Sequence, residues 1–259
     1  MIDDIKTFFW FLRKGPHFYS TLFALIYAKL KSNKDGPEHI KIATKWCEKN
    51  VVTSEECLSN LGIDSSRQDL EEAFTPEYQK DVQNIINSSA SDFGGSGHSN
   101  LIYSICEKLE VKNAIETGVA YGWSSAAILN SLSKRGGKLI SIDMPMLRQT
   151  DYNLIGIAVE SRVQQNWNLV RKPDRYGLPR AISKMESSLD LVHYDSDKSY
   201  YGRKWSQKLI WQNLSIGGIF ISDDIEDNAA FMEFVSEYNL SCSVLEFEGK
   251  YVGVVKKLV

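Results

Sequence analysis

The stretch that decides the fold is residues 113–125, Asn-Ala-Ile-Glu-Thr-Gly-Val-Ala-Tyr-Gly-Trp-Ser-Ser. It reads as a buried strand ending at Glu116, a turn carrying Gly118 and Gly122, and a helix running from Ser124 to about Leu132. Strand, glycine turn and helix in that order build a nucleotide-type pocket at the C-terminal end of a strand in an open α/β sheet. The glycines let the backbone turn and approach a ligand closely, and the helix N-terminus offers unpaired N–H groups. The spacing is acid-first, Glu116-x-Gly118-x-x-x-Gly122, not the Gly-x-Gly-x-x-Gly of a dinucleotide fold, and no Gly-Lys-Ser/Thr is present. This favours a cationic ligand without phosphate, such as S-adenosylmethionine. Glu116 is the candidate to hold its ammonium, directly or through water. Gly118, Ala120, Tyr121, Gly122 and Ser124 form the loop around it. For Tyr121 and Trp123, aromatic packing under the helix is the simpler account.

Asp143 closes the next strand, about 25 residues after Gly118. An acid there can accept hydrogen bonds from both ribose hydroxyls of an adenosine, the alternative being a turn cap before Pro145. From about residue 98 strands and helices alternate, which predicts a doubly wound, mostly parallel sheet. Strands are expected at 113–117, 138–143, 167–171, 189–194 and 217–222, and helices near 99–109, 123–133, 152–163, 177–185, 201–213 and 227–238. Two last strands, 242–248 and 251–257, meet at Gly249-Lys250 and read as a hairpin ending a seven-stranded sheet. Residues 1–90 read as a helical N-terminal extension, with breaks at Gly15-Pro16, 33–37 and 62–66. A polar, glycine-rich loop at 87–100 divides it from the catalytic domain, 91–259.

Composition is that of a globular protein, 43% hydrophobic and 24% charged. The net charge of −3 makes no case for nucleic acid. Cys47, Cys57, Cys106 and Cys242 form no Cys-x-x-Cys pair, so a reduced cytoplasmic protein is expected. The apolar runs 7–12 and 18–30 fall short of the roughly 20 residues that span a bilayer, and no small-residue cleavage site follows them. Residues 1–34 hold six Lys and Arg against two Asp, with many aromatics. Such a segment either packs against the catalytic domain or a second subunit, or lies peripherally on an anionic membrane.

Two further clusters carry chemistry. Asp195-Ser196-Asp197-Lys198 follows the strand ending at Tyr194, and Ser222-Asp223-Asp224 follows the strand ending at Ile221. Neighbouring parallel strands about 4.8 Å apart would bring Asp195, Asp223 and Asp224 together. Close carboxylates repel unless a cation or protons join them. Hard oxygen ligands suit Mg²⁺, or Mn²⁺ or Ca²⁺; helix N-caps are the plainer reading of each acid alone. Lys198 or Asp197 is the candidate base, and a salt bridge to the acids is the alternative for Lys198. His193 is expected to be a core histidine. His98 is placed on the substrate side or at a helix start, and Tyr200 and Tyr201 beside the substrate or under the next helix.

Residues 93–257 resemble the class I S-adenosylmethionine-dependent methyltransferases of Rossmann-like fold. They are most similar to a bacterial branch with macrocin-type sugar O-methyltransferases and cephalosporin-hydroxylase-like proteins. The residues that carry the resemblance are Phe93-Gly-Gly95, Glu116 to Ser125, Ser141-Ile-Asp-Met-Pro145, Asp195 to Tyr200, Gly217 to Ile225 and Asn228 to Phe234. The resemblance implies a metal at Asp195, Asp223 and Asp224, with Asp195 also beside the cofactor, and a contact from Asp174 to the adenine. It departs at Lys198, where the family often has histidine; catechol-type O-methyltransferases have lysine there. The expected activity is metal-dependent O-methylation of a sugar, glycan or glycosylated natural product. A catechol-like acceptor or a non-catalytic binding module are the alternatives, and a homo-oligomer is compatible with the sequence.

Overall fold

The computed structural model describes residues 2–31, 34–89, 92–145, 151–185 and 188–258. Seven strands form one sheet: β1 (Asn113–Thr117), β2 (Lys138–Ile142), β3 (Trp167–Val170), β4 (Leu191–Tyr194), β5 (Ile219–Ser222), β6 (Cys242–Phe247) and β7 (Lys250–Lys256). Their order is β3-β2-β1-β4-β5-β7-β6. The first five run parallel, and β7 inserts antiparallel between β5 and β6. The parallel strands are short and mainly apolar, as strands covered by helices on both sides are, apart from a buried polar row of Glu116, Ser141 and His193. The hairpin turn is Glu248-Gly249, both at positive φ (51° and 77°), which matches the twist of the strands it joins. The reversal of strand order between β1 and β4 opens a crevice at the strands' C-terminal ends, where such sheets bind ligands.

Ten α-helices surround the sheet in the described residues: α1 (Ile2–Arg13), α2 (Tyr19–Leu30), α3 (Pro37–Asn50), α4 (Ser54–Asn60), α5 (Pro76–Asn87), α6 (Ser99–Lys108), α7 (Trp123–Leu132), α8 (Asp174–Lys184), α9 (Tyr200–Asn213) and α10 (Ala230–Glu237). One apolar layer joins α4, α5, α6 and α7 to the sheet through Leu58, Val82, Leu101, Ile128 and Leu139. The other packs Leu178, Ile210, Phe231 and Phe234 against Ile115, Val192 and Phe220. Cys57 and Leu58 are fully buried in the first layer, so part of the helical extension shares a core with the sheet. A smaller cluster of Phe11, Phe18 and Leu22, with Trp10 and Met144 against it, seats the α1–α2 hairpin.

The helix expected at 152–163 does not form; two short 3₁₀ turns, Tyr152–Leu154 and Ser161–Asn166, stand there. Between them Gly156 takes φ 74°. Gly156 N–H donates to Ala120 O (3.0 Å) and Ala158 N–H to Tyr121 O (2.9 Å), so this backbone is spent bracing the 118–122 loop. The four cysteines are free thiols.

Candidate active site

The glycine turn is built by its backbone. Gly118 has φ 82° and Gly122 has φ 85°, conformations that L side chains rarely adopt. Gly118 N–H donates to Ile142 O at 2.8 Å. Its Cα faces the Asp195 carbonyl so closely that a Cβ would lie 2.0 Å from that oxygen. The loops after β1, β2 and β4 are thereby locked side by side.

Glu116 lies beneath this loop and lines neither cavity described below. It is fully buried and accepts hydrogen bonds from Ser124 Oγ (2.6 Å), Ser125 Oγ (2.5 Å) and Ser141 Oγ (2.7 Å). His193 Nδ1 stands 3.5 Å away. The carboxylate therefore ties the start of α7 to β2 and β4. Asp143 sits at the crevice, accepting from Val119 N–H (3.2 Å) and paired with the Arg171 guanidinium.

Two adjoining cavities open at the strand ends, sharing Gly118, Val119, Ala120, Asp195 and Lys198 as a common wall. The larger, of about 460 Å³, is walled by Asp143, Met144, Pro173 and Asp174, and also by Phe11, Thr21 and Leu25 from the N-terminal hairpin. The smaller, of about 210 Å³, is walled by Tyr121, Ser124, His193, Asp223, Asp224 and Lys250, and by the Gly94–Gly97 loop. At its rim His98 stacks on Phe247 with ring centres 4.6 Å apart. Tyr121 packs on Phe93 (5.0 Å) and accepts from the Phe93 N–H (3.3 Å), so it braces the glycine-rich loop as well as facing the cavity. Tyr200 and Tyr201 line neither cavity: Tyr200 Oη donates to Glu233 (2.6 Å), and Tyr201 packs on Tyr27.

The structure brings Asp195, Asp223 and Asp224 together around cationic groups. The Lys198 ammonium lies 3.1 Å from Asp195 Oδ1 and also pairs with Asp224. Lys250 Nζ holds the other Asp224 oxygen at 2.9 Å. Burial opposes the charge on Lys198, but Asp195 and Asp224 outweigh it and raise its pKa, so it rests as an ammonium. Burial and the adjacent Asp223 push Asp195 up to about 6. Burial works against Asp224 too, yet Lys198 and Lys250 hold it below the usual carboxylate range. His193 Nε2 lies 3.3 Å from Asp223 Oδ2. Against its burial, Asp223 and Glu116 lift this histidine to about 10. Asp223 Oδ1 is buried with no hydrogen-bond partner among the described residues. Asp197 is turned the other way: its Oδ1 accepts from Ser199 N–H (3.1 Å), and its carboxylate fills the space beside Gly202 at the start of α9.

Among the described residues no group of three or more His, Cys, Asp and Glu side chains is arranged to hold a metal ion; Lys198 stands between two of the three acids. The donor chemistry nevertheless fits a hard divalent cation. There are three carboxylates, among them Asp223 with an unpartnered buried oxygen and Asp195, pushed up by burial and then by its like-charged neighbour Asp223.

Sequence reasoning missed Arg203, on α9 and only 1% exposed. Its guanidinium donates to Asp223 O (2.9 Å), Asp224 O (2.9 Å) and Ser222 Oγ (3.2 Å), and its Nε to Lys198 O (3.4 Å). It clamps both acid-bearing loops by their backbones, including Asp224 at φ 50°. Nothing in the local sequence marks it, because its partners are carbonyls that every residue has.

Asp174, nearly buried at the first turn of α8, is pushed up to about 6, chiefly by burial, while a hydrogen bond from Ser196 Oγ works the other way. A carboxyl whose native pKa exceeds its ordinary 3.8 destabilises the fold when ionised. That cost is fully present above pH 6 and gone below the unfolded value. Asp174→Asn is therefore expected to raise unfolding free energy at pH 8 by about 3 kcal/mol and to change it little near pH 3.5, as denaturant titrations at the two pH values would measure.

Residues 115–225 match the family described as a methyltransferase domain; the matched segment runs from β1 through the acids that follow β5. No curated protein matches the chain. Among solved structures, a putative O-methyltransferase from Klebsiella pneumoniae superposes with a TM-score of 0.55 at 14% identity, over 83% of this chain and 100% of that one. The O-methyltransferase from Bacillus cereus, in complex with S-adenosylhomocysteine, gives 0.57 at 13% identity, over 82% and 100%. The O-methyltransferase TomG from Streptomyces achromogenes, involved in tomaymycin synthesis and bound to S-adenosylmethionine, gives 0.55 at 13% identity, over 82% and 98%. At these identities the likeness is one of fold. The segment from β1 to the acids after β5, which holds the glycine turn and Asp143, matches a methyltransferase domain, and the chain shares the Rossmann-like fold of these O-methyltransferases.

Proposed function

We propose that the protein transfers the methyl group of S-adenosylmethionine to a hydroxyl of a sugar, glycan or glycosylated natural product, with a divalent cation, Mg²⁺ first, held by Asp195, Asp223 and Asp224. The observation that carries this reading is the shared wall: Asp195 and Lys198 face both cavities. The larger cavity suits the adenosyl part of the donor, with Asp143 at the ribose and Asp174 near the adenine. The smaller one takes the methionyl end and the acceptor. The solved relative of similar fold that acts in tomaymycin synthesis supports a natural-product acceptor.

Methyl transfer forms a C–O bond in line with the breaking C–S bond, whose electron pair stays on sulfur as S-adenosylhomocysteine; the acceptor's proton must leave. A cation bound at the acids would lower the pKa of the acceptor hydroxyl. As base we assign Lys198, which takes the acceptor's proton only after a cation at Asp195 and Asp224 has weakened the charges that keep it an ammonium and it has released its own proton to solvent. Asp197 is the weaker candidate, since its carboxylate is held by the Ser199 N–H ahead of α9. Holding oxygen and methyl together in a closed site supplies much of the remaining acceleration.

One observation favours a flat phenolic diol as a second reading: the stacked His98–Phe247 pair at the rim of the acceptor cavity. Calorimetry with S-adenosylhomocysteine, with and without MgCl₂, tests donor and metal together. Binding of the product with a cation-dependent gain in affinity is expected. Product binding that no divalent cation alters, with turnover surviving a chelator, overturns the metal part. Methylation of phenolic diols but not of vicinal sugar diols would select the second reading.

A further inference from the structure

The α1–α2 hairpin has two chemically different faces. Inward, Phe11, Phe18 and Leu22 are buried, and Phe11, Thr21 and Leu25 wall the larger cavity. Thr21 Oγ1 is buried there without a hydrogen-bond partner among the described residues, so a hydroxyl is left for a bound ligand to satisfy.

Outward, Phe8, Phe9, Leu12, Phe23, Ile26, Tyr27 and Leu30 are exposed, Phe23 by 66% and Leu30 by 82%. With Leu25 they make eight of the fifteen exposed large apolar side chains among the described residues, gathered within 23 positions. Exposed apolar side chains gathered on one short hairpin mark an interaction surface. Lys6, Arg13, Lys14 and Lys31 stand exposed around it, Lys14 over Trp10 and Lys31 over Tyr27. Residues 1–34 carry six Lys and Arg against two Asp, within a chain whose total is −3, so this segment is basic while the rest of the chain is acidic. Apolar and aromatic side chains rimmed by cations complement an anionic bilayer surface. No helix of the described residues is long and apolar enough to cross one.

We propose that the α1–α2 hairpin docks the protein on an anionic lipid surface, and that donor binding and docking strengthen each other because the hairpin's other face walls the donor cavity. The coupling rests on the reading that this cavity holds S-adenosylmethionine. By linkage, whatever the donor product does for membrane affinity the membrane does for product affinity.

The experiment uses the full chain and vesicles of phosphatidylglycerol with phosphatidylcholine, against phosphatidylcholine alone. Co-sedimentation with the anionic vesicles only is expected, tightened about fivefold or more by saturating S-adenosylhomocysteine, with a matching gain in product affinity when vesicles are present. The triple change Phe9→Ser, Phe23→Ser and Leu30→Ser, which leaves the cavity-lining residues alone, should weaken vesicle binding at least about tenfold and leave product affinity in plain buffer unchanged. Docking is overturned by failure to sediment with anionic vesicles, or by equal binding to neutral ones. It is also overturned if light scattering shows that the triple change converts a dimer to a monomer without altering sedimentation, which would give the face to a second copy. Product affinity untouched by saturating vesicles overturns the coupling. No product binding in vesicle-free buffer overturns the donor reading and the coupling together, whereas normal product binding without docking leaves the donor reading standing.

Discussion

Gly118→Ala is expected to weaken S-adenosylhomocysteine binding by about 100-fold, the equivalent of about 3 kcal/mol. The residue holds φ 82°, and forcing a side chain into the left-handed region costs roughly 1–2 kcal/mol before any contact is considered. The contact is worse. A Cβ would lie 2.0 Å from the Asp195 carbonyl oxygen and 2.8 Å from its carbon. That backbone cannot swing aside as a flexible side chain could, since Asp195 N–H donates to Thr117 O at 2.8 Å. Either the glycine loop or the start of the acidic loop must move, and both border the larger cavity, the proposed donor site. Gly136→Ala is the control. It too has a positive φ (63°), but nothing lies within 4 Å of its added Cβ, so it should cost stability and leave binding alone. Calorimetric titration of the two variants reads the difference. Wild-type affinity in the Gly118 variant would remove the glycine turn from the donor site.

Asp195→Asn is expected to lower kcat by about 1,000-fold while product affinity shifts by less than about threefold, within the range that loss of a positioned ionisable group produces. The substitution keeps the shape and removes one charge. It takes away one of the three proposed cation ligands and a partner of the Lys198 ammonium, which keeps Asp224. Because burial and Asp223 already push Asp195 up to about 6, its ionised form burdens the fold above that pH. The neutral amide should therefore melt no lower than the wild type at pH 8, and unfolding could not explain the lost turnover. Single-turnover methylation alongside thermal melting gives both readouts. Activity retained in this variant would take Asp195 out of the reaction.

What could be read from the sequence was what is local along the chain. Gly118, Gly122 and Asp143 announce themselves because a turn or a strand end asks for that residue type at that place. Asp195, Asp223 and Asp224 could be brought together on paper because parallel neighbours in register, Tyr194 beside Ser222, put the residues that follow them at one edge. Glu116 stands on the expected strand, but its carboxylate points into serines rather than into either cavity. The signal was available: Glu116, Ser141 and His193 each stand one residue before a strand's end and share one row of the sheet. Polar side chains in a single row of a buried sheet satisfy one another. The helix expected at 152–163 breaks at Gly156, whose φ of 74° lies outside the α region, and the Trp167 ring packs so close there that a side chain would meet it at 2.4 Å. Arg203 and the cavity wall made by Phe11, Thr21 and Leu25 were beyond reach, because contacts between distant segments leave no periodicity behind.

The short pairing of Val51 with Val244, through Val52 N–H to Val244 O at 2.8 Å, bears on solubility. β6 is the last strand of the sheet, and an uncovered edge is a template on which other chains can add. The segment before α4 caps part of that edge, and Asn60 reaches Ser243 on the same strand at 3.1 Å. A fragment cut at residue 90 to isolate the methyl-transferring half would carry a bare edge and an opened core, and would be prone to stick to its own copies.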